Sequence, residues 1–196
     1  MMSMVTWKYR IPAVAWRSLV ITGLLLLVAG CGASKSVETK APDYVARSAR
    51  TLAIAPTDEL VNDLFGNNSN QLAEAIGGEL IRRGYSVIDA NGATSLLAKN
   101  GVSRAPVLNP QALAALAKDG VDAVVSVSAE ASVIGGPPMR HVKTKVTSTR
   151  TQREIGTVEW HNAWGGMPGS PADYMSRKGM PAAAKEIADA LAKLLG

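Results

Sequence analysis

The chain has one cysteine, Cys31, and it stands at the exit of an apolar run. That placement limits what the rest of the chain can become. No internal disulfide and no cysteine metal cluster can form, so the fold must be held by its apolar core. The residues ahead of the run include Lys8, Arg10 and Arg17 and no acidic side chain, and Leu19 to Ala29 is apolar apart from Thr22 and Gly23. A basic start, a short apolar stretch and small residues at the exit are the parts of a secretory signal peptide. The run is about half the ~20 residues a helix needs to cross a bilayer, so it makes a poor permanent span.

The exit reads Val28-Ala29-Gly30-Cys31 and resembles the bacterial lipobox. The resemblance implies that the Cys31 thiol takes a diacylglyceryl group, that the peptide is cut before it, and that the new amine is acylated. More than one chain is needed because a single acyl chain holds only marginally. Gly32 follows, and not the aspartate that retains such proteins in the inner membrane, which implies an outer-membrane destination with the domain facing the periplasm. The organisation expected is a signal peptide at 1–30, a lipidated cysteine and flexible tether at 31–49, and a periplasmic domain at 50–196.

A chain of 196 residues suits one domain plus a tether. Its net charge of +5 falls to about +2 once Lys8, Arg10 and Arg17 are removed with the signal. No basic stripe with interleaved aromatics stands out, so no nucleic-acid partner is expected. Phosphate-binding Gly-rich loops, His-Glu-x-x-His helices and Gly-x-Ser-x-Gly elbows are missing, which argues against the commonest hydrolases. The expectation is a non-enzyme without a cofactor.

Along the domain, Thr51 to Ala55 reads as a strand stopped by Pro56. Gln71 to Arg83 is an amphipathic helix with Leu72, Ile76 and Leu80 on one stripe, capped by Ser69 or Asn70 and closed by Gly84. Tyr85 to Asp89 is a strand, 93–99 a short helix, and Asn109-Pro110 opens another helix to Lys118. Val121 to Val133 is a long strand. Val142–Thr149 and Ile155–Trp164, joined near Thr151, form a hairpin, and Pro181–Leu195 is a final helix. The order β-α-β-α-α-β-β-β-α predicts an α/β fold with a mixed sheet covered by helices.

The strand at Leu52–Pro56, the helix ending Ile81-Arg82-Arg83-Gly84-Tyr85, the helix–Gly–Val-Asp-Ala-Val-Val sequence at 112–125 and the hairpin resemble a superfamily of envelope lipoproteins. It includes the curli-export lipoprotein CsgG, the synthase activator LpoB and small neisserial-type lipoproteins, with a fold like the TolB N-terminal domain. The resemblance implies a part in assembling or regulating an envelope complex, with an envelope protein as partner and a homo-oligomer as one option. A secretion-channel subunit of the CsgG type is the second reading. The hairpin is short for that role, and its faces, Val142-Thr144-Val146-Ser148 and His141-Lys143-Lys145-Thr147, lack the apolar side a lipid-facing strand needs. A third reading is an envelope hydrolase using Ser103 or Ser170.

Two local constellations stand out. His141 and His161 are the only histidines, and the hairpin brings them toward one another with Glu159 on the same face. Zinc sites need at least three protein ligands, and these three are the set a metal would use. The plainer expectation is polar residues on a sheet and no resident metal. Trp160, Trp164, Gly165 and Gly166 form a candidate partner surface, since tryptophan is enriched at binding hot spots. Alternatively the two tryptophans, sharing a strand face, pack under the last helix.

Overall fold

The computed structural model describes residues 34–42, 49–55, 68–102, 109–130, 140–162, 167 and 170–196. Their order is β1 (Lys35–Lys40), β2 (Thr51–Ile54), α1 (Asn68–Arg82), β3 (Ser86–Ile88), α2 (Ala90–Lys99), α3 (Pro110–Lys118), β4 (Ala123–Glu130), β5 (His141–Ser148), β6 (Glu154–His161), α4 (Pro171–Ser176) and α5 (Met180–Leu195). The fold is the mixed α/β arrangement expected. Local chemistry places several boundaries. The Asp89 carboxylate accepts the Gly92 N–H at 2.7 Å to start α2, and the Asn109 side chain accepts the Ala112 N–H at 2.6 Å, with Pro110 in the first turn of α3. Helix α1 closes at Gly84, whose φ of +87° an L side chain rarely adopts, while the Tyr85 N–H donates back to the Leu80 carbonyl at 3.2 Å.

The six strands lie in the order β1-β6-β5-β4-β2-β3. The pairs β1/β6, β6/β5 and β5/β4 are antiparallel; β4/β2 and β2/β3 are parallel. From β2 the chain crosses through α1 to β3 on one side, then through α2 and α3 to β4 on the other. Right-handed crossovers running in opposite directions put their helices on opposite faces of the sheet. One face carries α1 and α5, with Leu72, Ile76, Leu80, Ile187, Leu191 and Leu194 packed on Leu52, Ile54, Val125, Val142, Val146, Val158 and Trp160. The other carries α2 and α3, with Leu97, Leu113 and Leu116 packed on Ala53, Ala55 and Val124. Arg83 ties α1 to α5 by donating to Asp189 at 2.6 Å while also pairing with Glu79.

The tether expected through residue 49 is corrected over Lys35–Lys40, which is an edge strand running from Lys35↔His161 to Lys40↔Gly156. All six of its residues are exposed, so the segment carries no apolar period to announce it. Its order comes from the open edge of β6, a long-range partner. Gly156 permits the approach: a Cβ there would meet the Thr39 carbonyl oxygen at 2.3 Å and Leu194 Cδ1 at 2.7 Å. Helix α4 is a second element the apolar pattern did not announce. The signal peptide expected at 1–30, and Cys31 with it, lie outside the described residues. Among those residues no helix is long and apolar enough to cross a membrane.

Candidate functional site on the open face of the sheet

Helices α2 and α3 cover only the β3-β2-β4 end of their face. Beyond it, the same side of β4, β5, β6 and β1 is uncovered by any described helix. Residues paired directly across strands share a face, so the register writes this surface as rows. Lys35, His161 and His141 form one; Val37, Glu159, Lys143 and Ser128 the next; Thr39, Thr157, Lys145 and Ser126 the third. Lys143 pairs with Glu159 at 3.3 Å, and Lys145 with Glu154 at 3.0 Å. Val37 is the apolar exception, at 42% exposure. The surface is polar and nearly charge-balanced.

His141 and His161 lie directly opposite one another. The Asn162 N–H donates to the Arg140 carbonyl at 3.0 Å, which makes the next position inward a non-hydrogen-bonded pair. Such pairs hold their Cβ atoms closest in an antiparallel ladder. The two imidazoles accordingly stack, with centroids 4.5 Å apart and planes 19° from parallel. Glu159 sits two residues before His161 on the same face. One donor atom from each of the three side chains falls within 4.8 Å of the other two. The sequence put Glu159 on the face of His161 and expected the turn near Thr151 to bring the two histidines toward one another, and the structure brings all three into one cluster at the strand ends.

Trp160 belongs elsewhere. It is fully buried beneath α5, which corrects its assignment to a partner surface in favour of core packing. Its indole N–H donates to Glu186 at 2.8 Å. Glu186 also accepts from the Ser34 hydroxyl at 2.6 Å and from the Lys178 ammonium, so one carboxylate joins β1, β6, α5 and the segment before it. Burial pushes the Glu186 pKa up, but the bonds from Lys178, Ser34 and Trp160, with the charge of Lys178, outweigh it and hold the group below the ordinary glutamate value. No sequence signal announced Glu186, because its partners come from distant segments. Trp164, Gly165 and Gly166 lie outside the described residues, as does Ser103. Ser170 immediately precedes α4, its N–H donating to the Met167 carbonyl at 3.0 Å.

No protein-family model matches this chain, and no curated protein matches it. Among solved structures it is similar to the PelC dodecamer from Paraburkholderia phytofirmans, at a TM-score of 0.49 and 15% identity over 83% of this chain and 98% of that one. A competence-damaged (CinA) superfamily protein from Enterobacter cloacae gives 0.27 and 14% over 100% and 97%. Likenesses this weak carry nothing about ligand, partner or assembly.

Proposed function

We propose that this chain is an outer-membrane lipoprotein, anchored through acyl groups on Cys31, whose periplasmic domain is a non-enzymatic accessory or assembly subunit of an envelope complex. The observation that carries the reading is the Val28-Ala29-Gly30-Cys31 exit of a basic-then-apolar leader. On this reading the domain sits with envelope lipoproteins of the CsgG and LpoB type, in the small neisserial-type branch. Ser34 is held by Glu186 at the start of β1. Three residues of chain span at most about 11 Å, so a lipidated Cys31 keeps the sheet close to the bilayer. The row Lys35-His161-His141 is then the membrane-proximal end, and the open face is the surface offered to a partner. The hairpin β5–β6 stays with the domain: β4 and β1 flank it, and Val142, Val146, Val158 and Trp160 are packed in the core.

The test has two arms. Cys31→Ala should leave an uncleaved precursor that takes up no labelled palmitate and leaves the outer-membrane fraction; normal maturation would refute the anchor. A photo-crosslinker at Ser128 should give a discrete adduct in intact cells, its mass separating a second copy of this chain from another protein, while the same group at exposed Glu74 on α1 gives none. Equal labelling at both positions would refute the open face as the partner surface.

A further inference from the structure

We propose that His141, Glu159 and His161 form a binding site for a divalent first-row transition-metal ion, with zinc as the natural probe. The donor set sorts the candidates. Calcium and magnesium take six or more oxygen ligands, counting water, and disfavour imidazole. Two imidazoles with one carboxylate suit zinc, copper or nickel. Two His and one Glu also match a zinc set that leaves the fourth position to water or to a ligand atom from outside. Glu159 and His141 are half-buried and His161 is exposed at the end of its strand, so an ion reaches the set from the His161 side.

The geometry is close to what the ion requires. Zinc–nitrogen and zinc–oxygen bonds of about 2.0–2.2 Å put donor atoms about 3–4 Å apart, and the three donors here lie within 4.8 Å of one another. The backbone supplies the closeness, because His141 and His161 are opposite in the ladder and Glu159 shares their face. The remaining adjustment is in the rings. Imidazole lone pairs lie in the ring plane, so two rings stacked at 19° point their nitrogens nearly parallel. Rotation about the Cβ–Cγ bonds turns the in-plane lone pairs inward and unstacks the pair. Glu159 must also exchange Lys143, whose ammonium lies 3.3 Å away. Both partners are more than a third exposed, and such an ion pair is weak. Lys143 is therefore a competitor of the metal at this site and repels its charge. The site needs no lipid anchor, so its failure and the failure of the lipoprotein reading are separable.

The experiment uses the full mature protein, extracted in detergent and titrated with zinc against a chromophoric chelator. One equivalent should bind, and the NMR signals of both histidine rings should shift together over that equivalent. Even a group that only hydrogen-bonds a metal ligand is worth about 10–100-fold in metal affinity, so His161→Ala and Glu159→Gln, which alter ligands themselves, should each lose about tenfold or more. Lys143→Met should tighten binding several-fold, and Lys145→Ala, one row further along, should leave it unchanged. All four side chains are at the surface, and a melting curve checks that each variant is folded. Zinc affinity unaltered in folded His161→Ala, a shift confined to one ring, or weaker binding in Lys143→Met would overturn the site.

Discussion

Val124 and Ser128 lie on the same face of the same strand, yet Val124 is fully buried beneath α2 and α3 while Ser128 is exposed. Between them Ser126 is half-buried, so β4 is the line at which the sheet changes character. On the β2–β3 side the neighbours are parallel, and parallel neighbours require a crossover whose helices cover the sheet. On the β5–β6–β1 side the neighbours are antiparallel, joined across β5 and β6 by a tight turn in which Gln152 takes a φ of 58°. Such a connection brings no helix with it. The parallel end is therefore a closed core, and the antiparallel end is a core on one side and an open polar surface on the other.

The sharpest way to break this comparison is one charge placed at each end. Val124→Asp buries an ion among Leu97, Leu113 and Leu116, where desolvation costs several kcal/mol, and should abolish cooperative folding. Ser128→Asp should change stability by less than about 0.5 kcal/mol. Equal denaturant midpoints for the two would show that the second helix layer does not cover β4 as described.

The covered side of the antiparallel end should be nearly as intolerant. Trp160→Ala should cost about 3–5 kcal/mol by chemical denaturation. Trp160→Phe keeps most of the ring and removes the bond to Glu186, and should cost less, about 1.5–3 kcal/mol. Truncation effects of the size seen at surface positions would mean that Trp160 is not core.

Gly156→Ala probes the join between β1 and β6. The obstacle is the Thr39 backbone carbonyl, which cannot rotate away, so the strands must part. The expected cost is about 1–3 kcal/mol, with amide exchange accelerated over Lys35–Lys40 and unchanged in β2 and β4. Protection of the β1 amides equal to that of the parent would refute the close approach.

The smallest effect concerns acid. Glu186 has a folded pKa below its ordinary value of 4.5, so the stability it contributes is full above that value and is lost as pH falls through the lowered one. The melting temperature should exceed that of Glu186→Gln at neutral pH, and the gap should close as the pH drops below 4.5. A constant gap would place the effect outside the titration of this carboxylate.

The sequence by itself determined the features that local chemistry encodes. The expectation of a leader ending at Cys31 rests wholly on charge, apolar length and small residues in the sequence. The helix stripe of Leu72, Ile76 and Leu80, the Asn109-Pro110 start and the alternation of β5 follow from 3.6- and 2-residue periods. The β4 run Val124-Val125-Ser126-Val127-Ser128 already shows one face turning polar, and a period of two sets Glu159 and His161 on one side of their strand, whereas the register that puts His141 opposite His161 passes through an irregularity at Val146/Thr147 that no local period encodes. Only the tertiary structure decided the rest. Lys35–Lys40 has no apolar pattern and becomes a strand because β6, over a hundred residues later, ends with an open edge. Trp160 reads equally well as surface or core until α5 closes over it and Glu186 meets its N–H. The bare face exists because the crossover helices α2 and α3 pack on one end of the sheet only. Strand partners, edges and helix coverage are set by long-range pairing, and no local period encodes which edge is left open.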